Sequence, residues 1–63
     1  MIEGNIYRHR NCTEVDMKIN QIHAQESFYL KISVTWINRH SPHITWDDFV
    51  TVKSVDLKNW SKA

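Results

Sequence analysis

Two pairs of potential metal ligands lie in parts of the chain that read as loops. His9 and Cys12 form an H-x-x-C pair, and His40 and His43 form an H-x-x-H pair. Imidazole and thiolate are the side chains that zinc prefers, and four of them can close a tetrahedral site. The order of the two pairs is unusual for zinc, however, and Pro42 constrains the second pair. We therefore expect ordinary loop histidines and an unligated thiol, and we predict neither a metal nor any other cofactor.

Cys12 is also the one residue that could act as a strong nucleophile, with His9 as its base and Glu14 or Asp16 as the orienting acid. Such chemistry requires a thiolate activated by its surroundings and a partner held in place by the fold. A chain of 63 residues has little room for a pocket that excludes water. We predict a structural or incidental cysteine, no catalytic residue and no enzymatic activity.

Basic residues are spread over several expected strands. Eight Lys and Arg stand against seven Asp and Glu, so no overall field attracts nucleic acid or an acidic membrane. Adjacent strands could still gather a local basic surface from Arg8, Arg10, Lys18, Lys31 and Lys53. Aromatic side chains beside such a surface could stack on the bases of a single strand. Acidic residues are interspersed among these positions, which makes nucleic-acid binding the alternative function.

The aromatic residues favour protein recognition. Three Trp, two Tyr and two Phe are more than a core of this size can enclose. We assign Phe28, Trp36 and one of Leu57 or Trp60 to the core. The aromatic residues left for the surface are Tyr7, Tyr29 and Trp46. Because Tyr and Trp often anchor interfaces, we predict a small binding module that recognises, and can regulate, a larger protein.

Strict alternation of apolar and polar side chains from Phe28 to Trp36 predicts a half-buried β-strand. A short strand is expected earlier, from Ile6 to His9, and another beginning near Val15. Ile22 is out of phase with the apolar residues that precede it in this second strand. We therefore expect a bulge at Asn20-Gln21, which would help a sheet to curl.

The last part of the chain combines a strand with a helical turn. Residues 48–53 alternate and predict the final strand. The apolar residues after it have the spacing of one helical turn, which Ser54 or Asp56 could cap. Such a short turn must dock on the core, and Leu57 or Trp60 is the expected anchor.

These elements predict a single all-β domain over residues 1–63, with four or five short antiparallel strands and a C-terminal helical turn. This arrangement resembles the SH3-like small barrels. The chain also resembles the YodC-like small bacterial and phage proteins, which open with G-D-V-V-R-L and carry a C-x-W-F strand. The counterparts here are Gly4-Asn5-Ile6-Tyr7-Arg8, Met17-Lys18-Ile19 and Thr35-Trp36-Ile37. The resemblance implies a fold and no activity.

Several features predict a cytoplasmic protein without a membrane partner. The longest apolar run is far shorter than the ~20 residues that span a bilayer. The first residues lack a basic region followed by an apolar one, and Cys12 cannot form an internal disulfide. The absence of linkers and tails is typical of a complete small accessory protein from a phage or bacterium. The partner and the oligomeric state stay open.

Overall fold

Five antiparallel strands and one 3₁₀ turn build the structure, a computed structural model that describes residues 1–63. The elements in chain order are β1 (Ile6–His9), β2 (Val15–Gln25), β3 (Tyr29–Asn38), β4 (Thr45–Lys53), the 3₁₀ turn (Ser54–Asn59) and β5 (Trp60–Lys62). In the sheet the strands follow the order β4-β3-β2-β1-β5. The predicted all-β class with a C-terminal helical turn is confirmed, and the arrangement is consistent with a small barrel-like fold. None of the protein's helical structure has the length and apolar character to cross a bilayer.

The core forms on one face of the sheet because apolar residues recur at every second position of the central strands. In β3 this alternation buries Leu30, Ile32 and Val34. Together the buried apolar side chains are Tyr7, Met17, Ile19, Leu30, Ile32, Val34 and Val52. Four of these residues are completely enclosed, and burying an aliphatic side chain of this size stabilises the folded state by roughly 1.5–3 kcal/mol. The alternation therefore identified the face of β3 that holds the domain together.

Phe28 is the exception to this alternation, and its assignment to the core was wrong. Its side chain is 82% exposed, and β3 begins one residue later, at Tyr29. Phe28 lies in the turn that joins β2 to β3, where only its backbone carbonyl is engaged, as the acceptor for the Ser54 N–H at 2.9 Å. The apolar pattern continues into the turn, but no neighbouring strand covers that position.

The predicted bulge in β2 is confirmed, and a second irregularity follows it. The register between β2 and β3 shifts between Ile19 and Gln21, and again between Ile22 and Ala24. Each bulge adds local twist and bends the strand. The first half of β2 pairs with β1 and β3 together, whereas its second half pairs with β3 alone.

The C-terminal turn forms as predicted, but a short final strand follows it. In β5, Trp60 pairs with His9 and Lys62 pairs with Tyr7. A three-residue strand has too little periodicity to be predicted from the sequence. Trp60 is the residue that packs against the core, whereas Leu57 is exposed.

The predicted caps of the turn were wrong. No side chain caps its first residues. The Ser54 hydroxyl instead donates to the carbonyl oxygen of Ser27 at 2.8 Å, which ties the turn to the β2–β3 connection. The Asp56 carboxylate accepts hydrogen bonds from the Asn59 amide and the Trp60 indole, so it bonds the end of the turn rather than its beginning.

Candidate functional site

Three indoles lie at one end of the core face, and we call them the tryptophan row: Trp46, Trp36 and Trp60. Trp46 on β4 is the direct cross-strand partner of Trp36 on β3. The rings of Trp36 and Trp60 are 6.5 Å apart between centroids, although these residues belong to strands that do not pair. His9 continues the row, with its ring 4.8 Å from that of Trp60 in an edge arrangement. Register and folding thus bring together aromatic residues from four strands.

The row changes from buried to open along its length. Trp36 and Trp60 are half-buried and pack against the core, whereas Trp46 is 46% exposed. An exposed indole beside two fixed ones offers a contact surface with little conformational freedom to lose. The prediction that Trp46 is exposed is confirmed. The assignment of Trp36 to the core holds only in part, because that ring also reaches the surface.

Two carboxylates hold the inner indoles in place. The Trp36 Nε1–H donates to Asp48 at 3.0 Å, and the Trp60 Nε1–H donates to Asp56 at 3.1 Å. The hydrogen bond from Trp36 is the main cause that lowers the pKa of Asp48. The hydrogen bond from Asn59 is the main cause that lowers the pKa of Asp56, and His9 adds to it. The row is therefore bordered by two carboxylates that stay ionised at a lower pH than an ordinary Asp side chain does.

Tyr7, predicted to contact a partner, is a core residue. Its side chain is buried among the core cluster, and its hydroxyl accepts hydrogen bonds from the Ile2 N–H at 2.9 Å and the Asn5 amide at 3.5 Å. The reason is the register of β1, in which Tyr7 lies opposite the core residue Met17 and therefore shares the core face of the sheet. The prediction of a surface role for Tyr7 was wrong.

Tyr29 lies on the opposite face of the sheet from the tryptophan row, near the other end of β3. It is half-buried and pairs with Lys53 of β4, while the Lys31 Nζ lies 5.5 Å from the centre of its ring. Two of the predicted basic residues therefore flank one aromatic side chain. Farther along this face, Phe49 is 57% exposed and stacks against His23 with ring centroids 5.0 Å apart.

The other three predicted basic residues, Arg8, Arg10 and Lys18, are not part of the surface around Tyr29. Arg8 is committed to a buried carboxylate, with its Nε and Nη2 atoms each 3.1 Å from Asp16 oxygens. Arg10 follows the end of β1, and its N–H donates to Asn59. Lys18 is exposed on β2, where it pairs with Ile6 on one side and Thr35 on the other. The predicted continuous basic surface is thus reduced to Lys31 and Lys53 around Tyr29.

Asp16 is a structural centre that the sequence pattern did not single out. It alternates with Met17 on β2 and so faces away from the apolar core, yet it is buried. Arg39 covers it from the β3–β4 connection, with Nε 2.8 Å from the carboxylate, and also donates to the Cys12 carbonyl. Arg8 is the largest cause that lowers the pKa of Asp16, burial opposes this, and Arg39 lowers the pKa further.

The four candidate metal ligands, His9, Cys12, His40 and His43, are not brought into one site. No group of three or more His, Cys, Asp and Glu side chains has a geometry that could hold a metal ion. His9 bonds to Asp56 at 3.1 Å through Nε2, and its Nδ1 accepts the Asn11 N–H. Both ring nitrogens of His9 therefore have hydrogen-bond partners, and neither of these partners is the Cys12 thiol. His40 is exposed near Glu14, with 3.9 Å between charged atoms, and His43 is exposed.

The molecular surface contains no detectable pocket, so the tryptophan row is a shallow surface rather than a cleft. Comparison of the chain with protein-family models, with characterised proteins and with solved structures gave no match.

Proposed function

We propose that the protein is a small non-enzymatic binding module that recognises a larger protein through the tryptophan row. The observation that carries this proposal is the pairing of Trp46, almost half exposed, with Trp36, whose ring is fixed by Asp48. Indoles supply a large apolar contact for little loss of side-chain entropy, which is why Trp often dominates interface energetics. A module of this kind could regulate its partner, and we place its action in the cytoplasm.

The charges around the row indicate the kind of surface that would fit it. Asp48 is exposed and lies two residues from Trp46 on the same face of β4, and Asp56 lies beside Trp60 at the other end. Opposite charges around an apolar contact speed association and exclude wrong partners. We therefore propose a partner with an exposed apolar anchor surrounded by Lys or Arg side chains.

Trp46→Ala should abolish capture of this partner while leaving the fold intact. Truncating an anchor residue of this type weakens binding by about 2 kcal/mol or more, or roughly thirtyfold. The measurement is a pull-down from nuclease-treated extract of the source cell, followed by titration of the purified partner. Phe28→Ala is the matched control, because Phe28 is more exposed but distant from the row along β3. Equal loss with both variants, or no loss with Trp46→Ala, would refute the proposal.

Single-stranded nucleic-acid binding is the second candidate, and one observation favours it. Lys31 and Lys53 flank Tyr29 on the outer face, which combines cationic groups with a stacking ring. Phe49 of β4 and His23 of β2 offer a second pair of aromatic rings on the same face of the sheet, tilted by 37° to each other.

If the outer face binds nucleic acid, Lys31→Glu with Lys53→Glu should eliminate retention of a labelled single-stranded oligonucleotide at low salt. Binding by the unmodified protein should also fall steeply as salt is added, because phosphate contacts release counterions. Lys58→Glu with Lys62→Glu changes the net charge equally outside this face and serves as the control. Failure of the unmodified protein to retain any oligonucleotide at low salt would eliminate this candidate.

A further inference from the structure

The free edge of β4 is a long strand edge without a partner. β4 pairs with β3 over nine consecutive residue pairs, with no bulge and no proline. Its other edge pairs with no strand, since β4 ends the sheet. The opposite end of the sheet is β5, which has only three residues. Long, regular, uncovered edges present unpaired N–H and C=O groups that accept another strand.

The hydrogen-bond pattern identifies which residues of β4 face this edge. The Asn38 N–H donates to the Ile44 carbonyl at 3.0 Å, and the Ser54 N–H donates to the Phe28 carbonyl at 2.9 Å. Both bonds continue the β3–β4 register, in which residues alternately bond to one neighbour and to the other. The even-numbered residues of β4 therefore bond to β3. The backbone groups of Asp47, Phe49, Thr51 and Lys53 point to the free edge.

A separate contact supports this assignment. The Phe49 N–H donates to the Asp48 carboxylate at 2.8 Å, so it is not used in the ladder with β3. Asp48 thereby satisfies one donor of the free edge while it also accepts from Trp36. A strand added to β4 would have to replace this side-chain hydrogen bond with a backbone hydrogen bond. The association is therefore weaker than at an edge whose N–H groups are all free.

The charges along β4 match a second copy of the same strand in one antiparallel register. A two-fold axis at Asp47 or Asp48 would oppose two like carboxylates, which is unfavourable. An axis at Phe49 would place Asp47 opposite Thr51 of the second copy. An axis at Val50 places each Asp47 opposite Lys53 of the other copy, on the same face, and forms two ion pairs.

We propose that the chain forms a weak symmetric dimer in which β4 pairs antiparallel with β4 of a second copy, with the two-fold axis at Val50. Backbone hydrogen bonds join the edges, the Asp47 and Lys53 pairs select the register, and each Phe49 lies opposite Thr51. The interface repeats the same contacts on both sides, as two-fold symmetry requires. It does not depend on the tryptophan row, because Trp46 lies at its end, opposite Ser54 of the second copy.

Charge exchange tests the register directly. Sedimentation equilibrium at about 0.01–1 mM should show a monomer–dimer equilibrium for the unmodified protein, the range suited to a small and transient interface. Asp47→Lys and Lys53→Asp should each raise the dissociation constant about tenfold or more, since each replaces two ion pairs with two like-charge pairs. The double variant should have a dissociation constant within about threefold of that of the unmodified protein. A protein that is monomeric throughout, or a double variant that fails to recover, would overturn the proposal.

Cross-linking covers the case in which a charge variant does not fold, as judged by its thermal melt. In a Cys12→Ser background, Val50→Cys should form an intermolecular disulfide on oxidation. Residues on the axis are non-hydrogen-bonded partners with Cα atoms about 4.5 Å apart, a separation that a disulfide can span. Phe49→Cys in the same background should cross-link far more slowly. The opposite preference would place the axis at Phe49 and refute the register.

Discussion

Val34→Asp is expected to unfold the protein. Val34 is completely enclosed in the core and lies between Ile19 of β2 and Asp48 of β4 in the register. A carboxylate there would be buried without a partner and close to another acidic group, at a cost of several kcal/mol. The total stability expected for 63 residues is only about 3–9 kcal/mol. Circular dichroism at 25 °C should show loss of the β-sheet spectrum, or a melting temperature lowered by tens of degrees.

Ser33→Asp is the matched control, because it places the same side chain one residue away on the outer face. Ser33 is half-buried and bonds to the His23 ring, so a carboxylate there has a hydrogen-bonding neighbour. We expect its melting temperature to change by a few degrees at most. Comparable damage from the two substitutions would mean that the face of β3 assigned to the core is wrong.

Periodicity predicted the parts of the fold that depend on local pattern. The alternation in β3 identified its buried face, and the phase change at Ile22 identified the bulge in β2. Periodicity failed where burial depends on the neighbouring strands. Phe28 continues the pattern but lies in a turn outside the sheet, and Tyr7 is buried because its pairing with Met17 puts it on the core face.

The candidate site was less predictable because its members are distant in the sequence. Trp46 was identified as an exposed anchor, but its neighbour Trp36 was assigned to the core. The contact of Trp36 with Trp60 depends on the short strand β5, which has no sequence signature of its own. The carboxylates that hold these indoles could be found only once the strands were placed.

Asp16→Asn should destabilise the protein by about 2 kcal/mol at neutral pH, because hydrogen bonds to a charged acceptor contribute roughly that much. Arg8 and Arg39 both bond to this buried carboxylate, and the variant weakens both contacts at once. Exposed salt bridges contribute much less, but the Asp16 side chain is only 11% exposed. Denaturant titration at pH 7 measures the change, with Glu14→Gln as an exposed control expected within about 0.5 kcal/mol.

The pH dependence distinguishes loss of the charge from loss of packing. The pKa of Asp16 is lowered in the folded protein, so its stabilisation is fully present above the unfolded value of about 3.9 and is lost as pH falls through the folded pKa. The difference between the unmodified protein and Asp16→Asn should therefore be constant near neutrality and shrink below about pH 4. The variant should keep some acid sensitivity, because the pKa values of Asp48 and Asp56 are also lowered. A difference that stays constant down to pH 2 would mean that the carboxylate acts through its shape rather than its charge.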